Sequence, residues 1–300
     1  MPRFARILLI AVGAVLGAFV VAVLILSVVG NKKIERRFDV PLESVALATD
    51  SADLAEGERL SAVLGCDECH GANLAGSLLI DAPVFAVLPA TNLTTGEGGV
   101  GAAYTAADFE RAVRHGIDRE GRPLMIMPSR DFSHLTDQDV GRVIGYVMRV
   151  PPVDNPLGPR QIGLMGKIIT SFAAAGLFPA YAIDQAAPHV TSVSPTVSAE
   201  YGEYLARPCT GCHGLDYAGG RIPGGGPDAP PAGNLTPDPT AGIGSWTEAE
   251  FVRAMREGTR PDGSAIDTAM PWEAFSRFTD DELGALWLFL RSLRAIPGDT

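Results

Sequence analysis

The sequence contains one motif twice, and the segments around the two copies also match. Cys66, Cys69 and His70 of CDECHG recur as Cys209, Cys212 and His213 of CTGCHG. Further matches are NLT at 92 and 234, YTAADFERAVRHG at 104 with WTEAEFVRAMREG at 246, and MPSRDFSHLTDQDV at 127 with MPWEAFSRFTDDEL at 270. A match sustained over about 100 residues indicates a tandem duplication, and each copy is long enough to fold as a domain.

The duplication divides the 300 residues into five segments. They are predicted to be a transmembrane anchor at 1–30, a linker at 31–50, a first domain at 51–150, an interdomain linker at 151–197 and a second domain at 198–300. The interdomain linker contains the apolar run IGLMGKIITSFAAAGLFPA, which is interrupted by Lys167 and Pro179. We therefore expect a helix packed on the two domains there, not a second membrane span.

Helix signals recur within each repeat. A first helix is expected at 53–64, and Thr105 is followed by a helical pattern that ends at Gly116. Later helices are expected after the N-cap threonines Thr136, Thr247 and Thr279. Because strand signals are scarce, the expected fold class is mostly α: a transmembrane helix followed by two tandem domains.

The amino-terminal segment is apolar enough to cross a membrane. Residues 7–29 contain no charged residue, and as a helix they would extend about 35 Å, against a hydrocarbon core of about 30 Å. A cleaved signal peptide is the alternative, but its apolar region usually spans only about 7–15 residues. Arg3 and Arg6 precede the span and four basic residues follow it, so flanking charge alone would place the larger part in the cytoplasm.

The Cys-x-x-Cys-His motif is compatible with three chemistries: a zinc half-site, a redox dithiol and covalent attachment of c-type haem. In a four-cysteine zinc site the histidine would be redundant, and a thioredoxin-like dithiol would lie near a βαβ pattern that is absent from this sequence. Covalent attachment of haem would use both cysteines and the histidine of the motif, because the two thiols bond the porphyrin and the histidine binds the iron. We therefore predict two covalently attached c-type haems, with Cys66, Cys69, Cys209 and Cys212 as attachment residues and His70 and His213 as iron ligands.

The duplication also nominates the sixth ligand of each iron. Met127 and Met270 occupy equivalent positions, and each is followed by proline. Methionine is the usual sixth ligand where a high reduction potential is required. Met125 corresponds to Thr268 and is expected to fill the core instead. The histidines at 115, 134 and 189 have no counterpart in the second repeat, which argues against bis-histidine haems.

Charge excludes one class of partner. The formal net charge is −11, whereas nucleic-acid binding requires clustered Lys and Arg. We therefore expect no nucleic-acid partner. Apart from the haem motifs, the sequence contains no Ser-His-Asp pattern and no phosphate-binding glycine loop after a strand.

On these motifs the chain resembles membrane-anchored di-haem c-type cytochromes built from two class I cytochrome c domains. It is most similar to the cytochrome subunits of membrane-bound alcohol and gluconate dehydrogenases. Those subunits usually carry three haem motifs and a carboxy-terminal amphipathic anchor, whereas this chain has two motifs and an amino-terminal span.

The resemblance implies several structural features. The first and last helices of each domain should cross beside the haem, with Tyr146 and Phe289 as aromatic contacts. A proline carbonyl should fix each ligand histidine, and Pro83 and Pro223 are the candidates. Because bacteria attach haem covalently on the periplasmic side, the protein is expected in the bacterial inner membrane with its haem domains in the periplasm.

The function expected from this reading is electron transfer. Two His/Met haems would carry single electrons between a donor and an acceptor protein, and the chain would not itself be an enzyme. The alternative is a di-haem cytochrome c peroxidase, which requires one iron with an accessible sixth position and an acid–base group beside it.

Overall fold

The computed structural model describes residues 2–43, 45–222 and 228–298. The fold is mostly helical, as predicted. The longer helices are α1 Arg3–Ile34, α2 Ser51–Val63, α6 Asp137–Val147, α7 Leu164–Leu177, α8 Ala199–Ala206, α10 Glu248–Glu257 and α12 Asp280–Ser292. The shorter ones are α3 Cys66–His70, α4 Ala106–Glu110, α5 Ser129–Phe132, α9 Thr210–His213 and α11 Trp272–Phe275.

The predicted helix starts are confirmed. The side chains of Thr105, Thr136, Thr247 and Thr279 each accept a hydrogen bond from the backbone N–H three residues later. In three of the four, an acidic side chain at that later position also accepts from the threonine N–H, which completes a capping box. After α4 the chain continues as a π-helical turn, Arg111–His115, which ends at Gly116 with a φ of 65°.

In each repeat the first helix packs across the last one. α2 lies against α6, and α8 lies against α12. A glycine occupies each crossing. A Cβ on Gly57 would overlap the backbone of Arg142, and a Cβ on Gly202 would overlap the backbone of Ala285. The repeated sequences GERL and GEYL therefore mark the point where two helix backbones come into contact.

A small antiparallel sheet occupies the first repeat, although strand signals are scarce in the sequence. β1 Ser77–Ala82 pairs with β2 Ala86–Ala90, and β3 Gln161–Ile162 from the interdomain linker joins at β2. Residues of β2 alternate between buried and half-buried. In the sequence, Gly76 and Pro83 flank the apolar run of β1 and a second apolar run follows in β2, which is a hairpin signal that the sequence analysis did not use.

The apolar helix α7 does not pack on the two domains as predicted. It lies along α1 instead, and a Cβ on Gly30 of α1 would overlap the backbone of Lys167 in α7. Its first turn also contacts the hairpin, because Met165 N–H donates to the Val84 carbonyl at 2.9 Å. The element therefore joins the amino-terminal helix to the first repeat.

The two repeats contact each other reciprocally. α5 of the first repeat lies against the 3-10 turn Arg207–Cys209, and α11 of the second lies against α2. Arg59 on α2 donates to both carboxylate oxygens of Glu282, at 2.7 and 2.8 Å, and to the Arg277 carbonyl at 3.0 Å. The Glu282 side chain is only 5% exposed, so this ion pair is a central part of the interface.

We expect Arg59→Ala to destabilise the association of the repeats by about 3 kcal/mol, because a buried carboxylate loses its partner. Arg59→Lys should be intermediate, since an ammonium cannot form the paired hydrogen bonds of a guanidinium. Urea unfolding of both variants, with Glu282→Gln and the double variant, measures the coupling. Additive effects of the two single substitutions would contradict this assignment.

Candidate haem sites

Each Cys-x-x-Cys-His motif lies in a short helical segment after the first long helix of its repeat, and Cys209 of the second motif is the last residue of the 3-10 turn before α9. These helices are α3 and α9, and both end at a glycine with positive φ, 76° at Gly71 and 78° at Gly214. All four cysteines are free and partly buried. One helical turn places both thiols of a motif on the same side as the following histidine.

Both motif histidines make the same hydrogen bond. His70 Nδ1 lies 2.7 Å from the Thr91 carbonyl, and His213 Nδ1 lies 2.7 Å from the Gly233 carbonyl. A carbonyl only accepts, so Nδ1 carries the proton and Nε2 keeps its lone pair. This is the tautomer that a metal-ligating imidazole requires.

Pro83 and Pro223 were predicted to supply these carbonyls, and the prediction is wrong in the first repeat. Pro83 lies at the exposed hairpin turn, and Thr91 supplies the carbonyl instead. Pro223 lies outside the described residues, and Gly233 bonds to His213. A signal for both was present, because Thr91 and Gly233 directly precede the repeated NLT.

The asparagine of each NLT fixes the segment that presents this carbonyl. Asn92 donates to the Val153 carbonyl at 2.8 Å, and Asn234 donates to the Ile296 carbonyl at 2.7 Å. Each asparagine Oδ1 also accepts from the threonine N–H two residues on. Asn92 is buried, as is the threonine in both copies. Sequence reasoning used NLT only as a repeat marker and missed this positioning role.

The two Met-Pro segments share one conformation. The proline φ and ψ are −78° and 45° after Met127, and −78° and 57° after Met270. In both, the methionine carbonyl accepts a 2.8 Å hydrogen bond from the N–H two residues later. The preceding residues differ, because Ile126 has a φ of 55°, which is unusual for a β-branched side chain. Ile126 N–H donates to the Leu177 carbonyl of α7 at 2.8 Å.

In the second repeat all four predicted residues line one cavity. Its volume is about 730 Å³, and Cys209, Cys212, His213 and Met270 are in its wall. Most of the remaining lining is apolar, including Phe251, Phe275 and Leu286. The volume lies within the range of about 300–1,000 Å³ typical of cofactor sites. Two thiols, a free imidazole Nε2 and a thioether around an apolar cavity fit a c-type haem.

In the first repeat two of the four predicted residues pack against one apolar cluster, and Cys69 and His70 are not among its contacts. Cys66 and Met127 both pack against it, and its buried members are Leu74, Phe109, Phe132, Leu135, Val140, Val143, Ile144 and Val147. The predicted aromatic contacts lie on the last helices beside the crossing glycines. Tyr146 Cβ faces Gly57, and Phe289 Cβ faces Gly202.

Burial controls the protonation of the donor groups. It raises the pKa of the Cys66 thiol to about 11 and that of Cys209 to about 12, so both remain thiols at neutral pH. Burial also lowers the pKa of His70 and of His213, although the hydrogen bond to each carbonyl opposes the shift. Both imidazoles are therefore neutral and able to bind a metal through Nε2.

Comparison with known proteins agrees with this arrangement. The family model described as cytochrome c oxidase, cbb3-type, subunit III matches residues 52–147, and the cytochrome c model matches residues 199–294. The chain belongs to the c-type cytochromes. It is a di-haem cytochrome c with two cytochrome c domains, and its amino-terminal helix is long and apolar enough to cross a membrane.

Its relatives include cytochrome subunits of dehydrogenases. The alcohol dehydrogenase (quinone) cytochrome c subunit of Gluconacetobacter polyoxogenes is 31% identical over 284 residues, covering 83% of this cytochrome and 57% of the relative. The fructose dehydrogenase cytochrome subunit of Gluconobacter japonicus is 34% identical over 101 residues, 32% of this chain and 21% of that one. The gluconate 2-dehydrogenase cytochrome c subunit of Pantoea cypripedii is 37% identical over 95 residues, 29% and 21% of the two chains. The cytochrome thus spans about half the length of the first relative.

One wall of the second cavity comes from the first repeat and contains His134. Its Nε2–H donates to the Tyr204 carbonyl at 3.1 Å, and its ring meets the Tyr204 ring edge to face. Burial lowers the pKa of His134 to about 4. The histidine is therefore neutral in the folded protein at all but strongly acidic pH.

This depressed pKa predicts acid sensitivity. An unfolded histidine takes up a proton below about pH 6.5 and the folded one only near 4, so stability contributed by His134 is lost as pH falls through this window, by at most roughly 3 kcal/mol. The measurement is the urea midpoint from pH 7.5 to 4.5, compared with His134→Gln, which does not titrate. The wild type should lose more stability than the variant, whereas parallel curves would contradict the prediction.

Proposed function

We propose that this cytochrome holds two covalently attached haems and transfers single electrons between redox partner proteins in the bacterial periplasm. Cys66 and Cys69 would attach the first haem, and Cys209 and Cys212 the second. His70 with Met127, and His213 with Met270, would be the axial ligands. Each haem, when bound, would supply an iron that alternates between the ferric and ferrous states.

The main support for this proposal is that both motif histidines make the same hydrogen bond. A backbone carbonyl accepts from Nδ1 at 2.7 Å in each repeat, and a Met-Pro turn of the same conformation follows in each. Two repeats that preserve a neutral imidazole and a thioether support two six-coordinate irons. A thioether ligand favours the reduced iron and raises its potential.

The remaining residues of each site position and shield these donors. Asn92 and Asn234 hold the segments that fix the histidine rings. Aromatic and aliphatic side chains such as Phe251 and Leu286 line the second cavity and would exclude water. A low-polarity surrounding limits the reorganisation that accompanies a change of charge at the site.

The location follows from the chemistry of attachment. We infer that α1 remains as an inner-membrane anchor and that both repeats lie in the periplasm, where bacteria attach c-type haem. Because several relatives are named as cytochrome subunits of dehydrogenases, the proposed donor is a sugar- or alcohol-oxidising dehydrogenase. The acceptor would be a further carrier of the respiratory chain.

A di-haem peroxidase is the rival function. It would need one iron whose sixth position is open or readily vacated. The matching Met-Pro turns in the two repeats favour electron transfer, since each offers a thioether at the equivalent position.

The deciding experiment is spectroscopy of the full chain expressed with haem-maturation proteins. A pyridine haemochrome assay should give two haems per chain, and the reduced protein should leave its spectrum unchanged under carbon monoxide. Rapid formation of a carbon monoxide complex would mean that one iron is open, and the peroxidase function would then replace electron transfer. Fewer than two haems would contradict the proposed ligand sets.

A further inference from the structure

We propose that α7 and the turn of the β1–β2 hairpin form a second membrane-contacting surface, embedded in the same leaflet as the outer end of α1. The first haem domain would then be held against the lipid and not suspended from a flexible tether. This inference rests on the proposed anchoring role of α1, and its partner is the phospholipid bilayer itself.

The covered face of α1 locates α7 along the membrane normal. In α1, the positions shielded at its carboxy-terminal end are spaced three or four apart and are Val23, Leu26, Ser27, Gly30, Lys33 and Ile34. α7 is the helix that lies along α1, and its Lys167 backbone contacts Gly30. Since 23, 26 and 27 belong to the apolar span, α7 begins at the depth of the span and not above it.

The two helices run in the same direction. Lys167 lies at Gly30, and further along, Lys33 Nζ donates to the Ser171 carbonyl at 2.6 Å. The start of α7 therefore lies deeper in the membrane than its end. The hairpin turn lies beside this deeper end, because the backbone of Val84 contacts Gly163 and Met165.

The outward face of α7 lacks polar side chains. Its exposed residues are Leu164, Met165, Phe172, Ala173, Ala175 and Gly176. Phe172 is 66% exposed, Leu164 52% and the neighbouring Val84 71%. A helix at a water-facing surface normally presents charged or polar side chains on this side. Lipid is the environment in which such a face is favourable.

The contact of α7 with α1 is a close approach of two helix backbones. Gly30 of α1 lies against the backbone of Lys167, where any larger side chain would overlap it. A small residue at such a contact is how helices associate where lipid removes the hydrophobic driving force. The buried Gly166 of α7 faces the hairpin instead, because a Cβ there would overlap the Phe85 carbonyl.

A ring of basic and aromatic side chains marks the level of the lipid headgroups just above. Arg36 lies over the rings of Phe38 and Tyr181, and the Tyr181 hydroxyl donates to the Lys33 carbonyl at 2.8 Å. Tyrosine and basic residues concentrate at this level of a bilayer. Leu164, Met165 and the adjacent hairpin turn at Val84 lie on the membrane side of this ring, whereas Ser171 and Phe172 lie at its level.

Spin labels on the full chain in phosphatidylethanolamine and phosphatidylglycerol nanodiscs test the proposal. Nitroxides are attached to Val84→Cys and Leu164→Cys, with Phe19→Cys in the middle of α1 and Glu58→Cys on the exposed face of α2 as references. All four positions are exposed, so that the core is untouched. At each labelled position, the rate at which the nitroxide collides with oxygen, which concentrates in lipid, is compared with its rate of collision with a water-soluble nickel complex.

We expect oxygen collisions to exceed nickel collisions at 19, 84 and 164, and the ratio to be inverted at 58. Lipid-like values at 19 with water-like values at 84 and 164 would overturn this inference and leave the anchor standing. Water-like values at 19 as well would overturn the anchor itself. Spin–spin broadening at 164 that vanishes on dilution with unlabelled protein would assign the surface to a second copy of the chain, and would also overturn the proposal.

Discussion

Met270→Ala is expected to abolish the methionine-to-iron signature of one haem while leaving two haems attached. Met270 is the thioether in the wall of the second cavity, and alanine offers no ligand in its place. The weak far-red band of sulfur-ligated ferric haem should fall by about half, and the potential of that haem should drop by on the order of 0.1 V, since axial ligands set haem potentials over a range of about 0.8 V. Optical spectra and a redox titration measure both effects.

Met127→Ala should have the same effect on the other haem, and the double variant should lose the band completely. Met125→Leu is the matched control, because Met125 is two residues from Met127 yet buried among Ile34, Ala86, Leu88 and Phe178. Its substitution should leave the band unchanged. Retention of the full band in Met127→Ala, or its loss in Met125→Leu, would show that the ligand has been assigned to the wrong methionine.

The repeated sequence segments predicted the parts of the fold that local chemistry determines. A threonine three residues before an acid caps a helix in all four cases here and forms a full capping box in three of them, so Thr247 and Thr279 could be placed from the sequence. The predicted site residues of the second repeat also line one cavity.

What could not be predicted depends on partners distant in sequence. Pro83 was a reasonable candidate for the histidine carbonyl, but the choice of Thr91 depends on Asn92 reaching the Val153 carbonyl, a contact between segments about 60 residues apart. The position of α7 is a similar case. Apolar composition predicted a buried helix, and only the close approach of Lys167 to Gly30 showed that its neighbour is α1.

The same limit applies to the interface of the repeats. Glu282 was expected as part of a helix start after Thr279, and it does accept from the Thr279 N–H at 2.7 Å. Its second role, accepting from Arg59 of the other repeat, cannot be read from either repeat by itself. The capping residue fixes the helix end, and the ion pair then fixes one domain on the other.

Gly57→Ala and Gly202→Ala should each destabilise their own repeat by about 3 kcal/mol or more, although alanine is normally the better helix former by about 1 kcal/mol. The reason is steric. The new methyl group would overlap the backbone of Arg142 or of Ala285, and a backbone segment inside a helix cannot rotate away as a side chain can. The helices must separate, which also loosens the packing around Tyr146 or Phe289. Urea unfolding followed by far-ultraviolet circular dichroism measures the loss.

Gly176→Ala is the matched control, because no atom lies within 4 Å of a Cβ at that exposed position of α7. The same substitution should there be neutral or slightly stabilising, as the reduced backbone entropy of the unfolded chain predicts. A destabilisation common to all three variants would mean that the loss does not arise from overlap at the crossings, and unchanged stability of Gly57→Ala and Gly202→Ala would mean that the crossings tolerate a methyl group. A loss of stability confined to Gly57→Ala and Gly202→Ala would instead show why a glycine occurs before each Cys-x-x-Cys-His motif. With the first helix displaced from the last, the motif that follows it could no longer present its thiols and imidazole to one cavity.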